Sequence, residues 1–484
     1  REAEAEYRRK QAVLEQLLGG RALPTTGLTT KDSVDANQWR QMGVTHTDLA
    51  DVLMLQGRYA EARAQYEAAL KIAQATDDER QQGVVSGQLG TLALQEGDFA
   101  EAERQHRAAL ARFHALGETR TEAIVWHQLG MAYQTAAERG AGQGVGSKGV
   151  GSKESLLQQA EEAYRQSLQL EEALGNQAGA ARTANQLAIV AQLAGRPADA
   201  ARWYRRALRD FQATGQMREL AVVANNLASL LLAAARGEVG SPPPAGLAEG
   251  GDLLAEAESL ARQALQIREA INDPSTEIWK TYIILAGIAA ARGDPAAVRD
   301  WRRKERAAYV AFPGHWANLS RQWGQVVQAV AQASRLRAIP ADLDAALQRK
   351  AEHGWTAVVA ALRDLLAGAR DADALADKHN LDREDYLIVC KTLEALAGGA
   401  VHESATNARM GGAAPEAAPD QEAQARALMA ALQAWVETPA GQSALRELQA
   451  QGLGEEALVM GLLQRFIAAQ AGGASPPRGG KSNK

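Results

Sequence analysis

Residues of the same type recur every 40 positions along much of this chain. Leu49, Leu89 and Leu129 are spaced by that interval, and Leu187 and Leu227 repeat it. A fixed period of roughly 20 to 50 residues is typical of repeat architectures, whose units bury their apolar faces only by stacking on their neighbours. A chain of 484 residues is also too long for one compact core. The sequence therefore predicts an array of stacked units.

Each unit has the pattern of two amphipathic helices joined by a tight turn. In the first complete unit Leu49 and Leu53 mark one apolar face, QGRY forms the turn, and Ala62, Tyr66 and Leu70 follow at helical spacing. Small residues recur directly after the leucine and early in the second helix, where we expect paired helices to approach closely. We call Leu49, Leu89, Leu129, Leu187, Leu227 and Leu285 the key leucines. They predict six first helices near residues 40–56, 80–96, 120–137, 178–194, 218–236 and 276–292.

Three of these stretches carry a family resemblance. LADVLMLQGRYAEARAQYEAAL, LGTLALQEGDFAEAERQHRAAL and LAIVAQLAGRPADAARWYRRAL resemble tetratricopeptide repeats (TPRs). The usual period of that family is about 34 residues, and the longer period here resembles the variety found in kinesin light chains and in the sensor regions of bacterial STAND and NB-ARC signalling ATPases. The resemblance implies an all-α fold, a right-handed α-α superhelical solenoid of TPR-like helix pairs, which we expect to end in a C-terminal helical bundle.

The register and the composition also suggest boundaries along the chain. The intervals Leu129 to Leu187 and Leu227 to Leu285 are each 58 residues, 18 more than the period, which predicts two loop inserts of equal length. Residues 1–18 match the second half of a repeat, so we expect the chain to continue something longer. The predicted segments are a truncated repeat at 1–18, a loop at 19–37, a solenoid at 38–312 with inserts near 138–156 and 236–251, capping helices at 313–400, a linker at 401–420, a short helical module at 421–471 and a disordered tail at 472–484.

Charge and cysteine usage exclude several classes of partner. The net charge is −5 with both signs interspersed, so no nucleic-acid partner is expected. No apolar run approaches the length of about 20 residues that spans a bilayer, so no membrane partner is expected. A single cysteine fits a reducing compartment, and we expect a bacterial cytoplasmic protein. The basic cluster Arg302, Arg303, Lys304 and Arg306 also contains acidic residues and is interpreted as a solvated helix face rather than a phosphate site.

Residues that could support catalysis do not form the required patterns. The loop GQGVGSKGVGSK lacks the spacing of a nucleotide-binding P-loop, and the histidines show no zinc motif. Cys390 lies along an apolar helical face, so a core thiol is favoured over a nucleophile paired with His379. His106 stands where other units have tyrosine and is interpreted as a packing residue. We therefore expect no catalytic residue, no cofactor, no metal and no enzyme activity.

The resemblance also implies where a partner binds. In TPR proteins the first helices line a concave groove, and positions two before and five after the key leucine face the ligand. Transferred by register, the candidates are Thr47, Met54, His127, Gln134, Asn185, Gln192 and Asn225. Amides can satisfy peptide backbone groups while apolar neighbours supply burial. Equally, these side chains could only bridge neighbouring repeats. Neither set of positions, two before or five after the key leucine, contains Lys or Arg. Some TPR proteins use such side chains to bind the terminal carboxylate of a client, so that class of client is disfavoured.

These observations lead to one main functional hypothesis and one alternative. The main hypothesis is a protein–protein interaction scaffold or sensor that binds a peptide or protein along the groove. The alternative is the regulatory half of a larger multidomain enzyme, a signalling ATPase or caspase-like protease, whose catalytic part is not in this chain. A DNA-binding activator is weaker, because no basic recognition helix is evident. The identity of the partner, the oligomeric state and the role of the inserts do not follow from the sequence.

Overall fold

The computed structural model describes residues 2–18, 34–139, 151–239, 247, 251–312 and 314–398. The chain divides into two compact units, Arg1–Gly411 and Gly412–Lys484, and all the described residues lie in the first. The predicted linker at 401–420, helical module at 421–471 and tail at 472–484 lie outside the described residues. So do most of the predicted loop at 19–37 and the central parts of both inserts.

The described residues form eighteen α-helices and one short 3-10 helix, Pro274–Thr276, and contain no strand. The first thirteen α-helices are α1 (Glu2–Leu17), α2 (Val34–Leu55), α3 (Tyr59–Ala75), α4 (Glu79–Glu96), α5 (Phe99–Leu116), α6 (Thr119–Glu138), α7 (Lys153–Ala173), α8 (Gln177–Leu193), α9 (Pro197–Thr214), α10 (Met217–Ala235), α11 (Leu253–Ile271), α12 (Trp279–Ala291) and α13 (Pro295–Ala311). The last five are α14 (His315–Leu336), α15 (Ala341–Glu352), α16 (Thr356–Leu366), α17 (Ala372–His379) and α18 (Arg383–Leu396).

Helices α2 to α13 pack in consecutive pairs. Each even-numbered helix from α2 to α12 packs against the helix that follows it, and each pair packs against the next one along the chain. Helix α1 packs against α2, as the second helix of a preceding unit would. The predicted all-α solenoid of TPR-like helix pairs is confirmed, and the six predicted first helices correspond to α2, α4, α6, α8, α10 and α12. Helix α2 begins at Val34, within the segment that was predicted as a loop up to residue 37.

The ends of the helices follow from local chemistry. At the turn between α4 and α5, Gly97 takes a left-handed conformation with φ of +83°, which glycine adopts without steric cost. The next residue, Asp98, caps α5 by accepting a hydrogen bond from the backbone N–H of Glu101 at 3.0 Å. This satisfies a donor that has no partner inside the helix. The turn within the repeat is thus encoded by two adjacent residues.

Small residues after the key leucines allow the paired helices to approach closely. A Cβ atom on Gly130 would lie 2.7 Å from the ring of Tyr164 in the second helix of its unit. A Cβ atom on Gly90 would lie 2.8 Å from the ring of His106 in the same way. Tyr164 and its equivalent Tyr66 are fully buried, and the equivalent Tyr204 is 2% exposed. The recurrent ring therefore fills the space that the small residue leaves.

Helices α14 to α18 form a second cluster at the C-terminal end of the described chain. Trp323 is fully buried at its centre, and α18 packs against both α14 and α13. Trp279, Tyr309 and Leu387 join this bundle to the last helix pair of the solenoid. Asp382 caps α18, as its position in the sequence suggests, by accepting from the backbone N–H groups of residues 384 and 385 at 2.8 Å each. The bundle thus covers one end of the last pair.

Helix α10 is long and apolar enough to qualify as a membrane span by length and composition, so the expectation that no apolar run approaches that length is wrong for this segment. Most of its surface is buried against α9, α11 and α12. Leu227, Leu230 and Leu231 lie inside the largest core cluster of the solenoid. Burial on several sides explains why the polar face of this helix is so narrow.

Candidate partner-binding surface

Three of the seven groove candidates link successive first helices. Thr47 on α2 accepts a hydrogen bond from the Gln81 side chain on α4 at 2.9 Å. Asn225 on α10 donates from Nδ2 to the hydroxyl of Thr281 on α12 at 2.9 Å. Both Thr47 and Asn225 are only 5% exposed. Their contacts match the alternative that these side chains bridge neighbouring repeats.

His127 on α6 makes the equivalent bridge to α8. Its Nδ1 lies 3.1 Å from the hydroxyl of Thr183, and the spacing of 56 residues is the same as that between Asn225 and Thr281. The His127 ring meets the ring of Tyr164 edge to face, with centroids 5.2 Å apart. Burial, with a smaller contribution from the charge of Arg182, lowers the pKa of His127 to about 4. The ring is therefore neutral at pH 7 and can share a hydrogen bond without a desolvated charge.

We expect the Asn225 to Thr281 bridge to couple two repeats energetically. In a double-mutant cycle of Asn225→Ala and Thr281→Val, the coupling free energy should be about 0.5–1.5 kcal/mol, the usual net value of an intramolecular hydrogen bond. The measurement is urea unfolding followed by circular dichroism. Asn185→Ala combined with Thr281→Val is the control and should be additive, because no contact joins that pair. Additivity in the first cycle would contradict a bridging role.

The three candidates five residues after the key leucine contact the tyrosine of their own unit. The hydroxyl of Tyr164 donates to Gln134 Oε1 at 2.9 Å, and the hydroxyl of Tyr204 donates to Gln192 Oε1 at 3.2 Å. In the first unit the hydroxyl of Tyr66 lies 3.6 Å from Met54 Sδ. Gln192 is exposed and Met54 and Gln134 are half-buried, so this row reaches the surface. These side chains hold the tyrosine hydroxyl and still present part of themselves to solvent.

The hydroxyl of Tyr66 has a further partner that the sequence analysis missed. It donates to Asp51, which also accepts from Gln88 Nε2 of the next first helix at 3.1 Å. Burial raises the pKa of the Asp51 carboxyl above its usual value, partly offset by the hydrogen bond from Tyr66. The carboxyl thus ties α3, α2 and α4 together.

Neighbouring positions on the same helices form a more accessible surface. Residues five before, one before and two after the key leucine project within about 60° of one another on a helix of 100° per residue. Four apolar members of this set are exposed, among them Ile124 at 48% and Val222 at 45%, whereas Val84 and Ile189 at the same offsets are half-buried. We define the exposed stripe as Val44, Gln88, Ile124, Gln128, Met131, Gln186, Val222 and Asn226. The repeat register could have located it, because each member recurs at a fixed offset from a key leucine.

Family models match two parts of the chain. Both are tetratricopeptide repeat models, and they match residues 41–114 and 180–214. The first range covers α2 to α5, and the second covers α8 and α9. The chain contains tetratricopeptide repeats. Repeats of this kind suggest a role in protein–protein interaction or sensing, and proteins built from them are generally non-catalytic.

The solved structures that match this chain share little sequence with it. BtubC from P. vanneervenii is 22% identical, with 54% of this chain and 92% of that one covered and a TM-score of 0.42. A STAND protein with a tetratricopeptide repeat sensor from Pyrococcus horikoshii is 13% identical, with 56% of this chain and 44% of that one covered and a TM-score of 0.30. A circular tandem repeat protein is 16% identical, with 81% and 88% covered and a TM-score of 0.26. A search of curated proteins gives no match.

The members of the exposed stripe are neutral, although the same offsets also place Asp48 and Asp51 on α2 and the exposed Arg182 on α8. The amides of the exposed stripe are half-buried, and Asn226 Nδ2 lies 3.5 Å from Asn185 Oδ1 of the preceding first helix. Gln128 Oε1 lies 4.0 Å from the position that a Cβ atom on Gly87 would take, so this amide of α6 lies beside α4. Apolar side chains beside amides with spare hydrogen-bonding capacity suit a peptide that carries both apolar and backbone groups.

The residues weighed for catalysis occupy structural positions. Burial raises the pKa of the Cys390 thiol to about 11, so the thiolate needed for nucleophilic attack is scarce at pH 7. His379 Nε2 lies 2.7 Å from Asp364 Oδ2, and no hydrogen bond joins His379 to Cys390 in the described chain. His106 is fully buried between α4 and α5, as its register predicts. Among the described residues, no group of three or more His, Cys, Asp or Glu side chains is placed to hold a metal ion.

Proposed function

We propose that this TPR chain binds a protein or peptide partner along the exposed stripe of its first helices. The observation that carries the proposal is that exposed apolar side chains on α2, α6 and α10 and half-buried amides on α4, α6, α8 and α10 stand at the same offsets from the key leucines. Exposed apolar side chains lie on α2, α6 and α10, and half-buried amides on α4 and α8 lie between them; exposed apolar groups rimmed by polar residues commonly mark interaction sites. In this proposal the chain acts as a scaffold or sensor and does not catalyse a reaction on its partner.

The seven candidates from the groove rows have two roles in this proposal. Met54, Gln134, Asn185 and Gln192 flank the exposed stripe and offer partly accessible polar or thioether groups to a partner. Thr47 and Asn225 are buried and His127 is half-buried, and in this proposal all three fix the spacing between successive first helices. A rigid spacing lowers the entropy cost of binding, because the surface is already ordered before the partner arrives. The alternative, a regulatory half of a larger signalling ATPase or caspase-like protease, stays a prediction.

A charge placed on the exposed stripe should abolish partner binding without unfolding the chain. Peptides that bind are first selected from a random library on the immobilised wild-type chain, and their affinities are then measured by fluorescence anisotropy. The double variant Ile124→Glu with Val222→Glu should weaken binding by at least about tenfold, or about 1.4 kcal/mol, because each carboxylate desolvates on contact with an apolar side chain.

Leu116→Glu with Leu174→Glu is the matched control. Both leucines are exposed, at 45% and 38%, and both lie at or just beyond the ends of second helices, away from the exposed stripe. The control should bind the selected peptides as the wild type does. Circular dichroism checks that both double variants keep their helix content. Equal binding by all three proteins would show that the selected peptides bind elsewhere and would remove the exposed stripe from the proposal.

A further inference from the structure

A small cleft lies where the last TPR helix meets the C-terminal bundle. It has a volume of about 330 Å³ and is lined by residues of α13 and by the segment that leads into α18. Three arginines face it, Arg302 and Arg306 from α13 and Arg383 from α18, together with the carboxylates of Glu305, Asp382 and Glu384. The sequence analysis interpreted the α13 arginines as a solvated face. That interpretation holds for Arg302, which is exposed, but is wrong for Arg306, which is only 7% exposed.

Several buried hydrogen-bond donors at this junction have no acceptor among the described residues. They are the Nε atoms of Arg306 and Arg383, together with Nε1 of Trp279. A buried donor without a partner costs about 1–3 kcal/mol, and such groups are rare in native proteins. The guanidinium of Arg383 lies 4.8 Å from the centroid of the Trp279 ring, so two of the three donors belong to one cluster.

The partners that these arginines do have leave the Nε atoms unused. Arg306 donates from Nη2 to Asp377 at 3.2 Å and lies over the ring of Tyr386 at 5.3 Å. Arg383 Nη1 is 3.6 Å from Glu305, which is longer than a good hydrogen bond. The guanidinium groups are therefore held in place by contacts that occupy their outer nitrogens or their faces.

The carboxylates in the cleft do not compensate for the unused donors. Asp382 is engaged as the cap of α18, where it accepts two backbone N–H groups. Burial raises the pKa of Glu305, because desolvation outweighs the attraction of Arg383, Arg302 and Arg306. The Glu305 carboxyl is thus harder to ionise than an exposed glutamate, and it lies 3.6 Å from Nη1 of Arg383 rather than against either Nε atom.

We propose that this cleft binds a small oxyanion, a phosphate or carboxylate group, through Arg302, Arg306 and Arg383. A guanidinium group presents donors in a planar fork that matches the oxygens of either group, and Nε belongs to that fork. Arg306 and Arg383 both line the cleft, so a small shift of their side chains lets a bound anion accept from the Nε atoms, for which the described residues supply no acceptor. The bound group also joins α13 of the solenoid to α18 of the bundle, so it ties the two parts together.

Thermal unfolding of the full chain tests this proposal. Melting temperatures are measured in about 10 mM inorganic phosphate, in the same concentration of acetate, and in chloride of equal ionic strength, because higher phosphate concentrations stabilise proteins non-specifically. Phosphate or acetate should raise the melting temperature of the wild type by about 2–4 °C over chloride, since a ligand that binds only the folded chain stabilises it by mass action. The anion with the larger shift identifies the preferred group.

Two variants and one control make the test specific. Arg302→Gln changes an exposed residue, so the chain keeps its fold, and the anion-dependent shift should fall by at least half. Arg306→Gln should remove the shift if it folds. Arg303→Gln is the control, because Arg303 lies on the same helix, pairs with Asp300 and does not line the cleft. The proposal is overturned if neither anion raises the melting temperature of the wild type, or if Arg302→Gln and Arg303→Gln show the wild-type shift alike.

Discussion

When the pH falls from 7 to 4.5, the buried ring of His106 should lower the free energy of unfolding of this chain by about 2 kcal/mol. The ring is fully buried, neither ring nitrogen has a hydrogen-bond partner among the described residues, and burial lowers its pKa to about 4. An unfolded histidine binds a proton below about pH 6.5. Since the unfolded chain takes up that proton and the folded chain does not, the stabilisation is complete above pH 6.5 and is lost as the pH falls toward 4.

His106→Phe isolates this effect, because it keeps a ring against Gly90 and removes the titration. We call the decrease in the free energy of unfolding from pH 7 to pH 4.5 the acid loss. Urea unfolding at the two pH values should give an acid loss that is about 2 kcal/mol smaller for the variant than for the wild type. The difference between the proteins is the test, because other groups also titrate. Asp385 acts in the opposite direction, since burial raises its pKa to about 7 and it is protonated in the folded chain at lower pH.

His114→Phe is the matched control for this comparison. His114 lies in the last turn of the same helix, α5, with its side chain 79% exposed. This variant replaces a histidine by phenylalanine on the same helix but outside the core, so a difference in acid loss between the two variants is assigned to the buried ring of His106. An equal acid loss in His106→Phe and the wild type would contradict the expected role of the buried ring.

Gly130→Ala should lower the free energy of unfolding by about 1–3 kcal/mol, the usual cost of overpacking a core. The added methyl would lie 2.7 Å from the Tyr164 ring, which is fully buried and cannot move away without disturbing its neighbours. The ring also donates through its hydroxyl to Gln134 at 2.9 Å, so a shift would strain that hydrogen bond. Urea unfolding followed by circular dichroism measures the loss.

Gly87→Ala is the matched substitution for Gly130→Ala. Gly87 also lies inside a first helix and is buried, but its added methyl would meet only Gln128 Oε1, at 4.0 Å. Alanine is favoured over glycine in a helix interior by about 0.5–1 kcal/mol, so this variant should be more stable than the wild type. If both variants change stability in the same direction by similar amounts, close packing against Tyr164 is not the reason for the glycine at position 130.

The sequence alone determined the repeat and the positions of its helices. The key leucines, the small residues that follow them and the turn at Gly97 act over a few residues, so their effect is readable from spacing and residue type. For the same reason the register placed His106 in the core. It also located the two rows of groove candidates, since an offset from the key leucine fixes the face of a helix.

Only the tertiary structure decided what those side chains contact. His127 meets Thr183, and Asn225 meets Thr281, across 56 residues of chain, so no local pattern separates a bridge between repeats from an exposed ligand contact. In the same way, Arg306 lies in a stretch that is charged along the sequence, and it becomes buried because α18 packs against α13. A helical pattern fixes the direction in which a side chain points, but the atoms that it meets belong to segments whose position is set by packing of the whole chain.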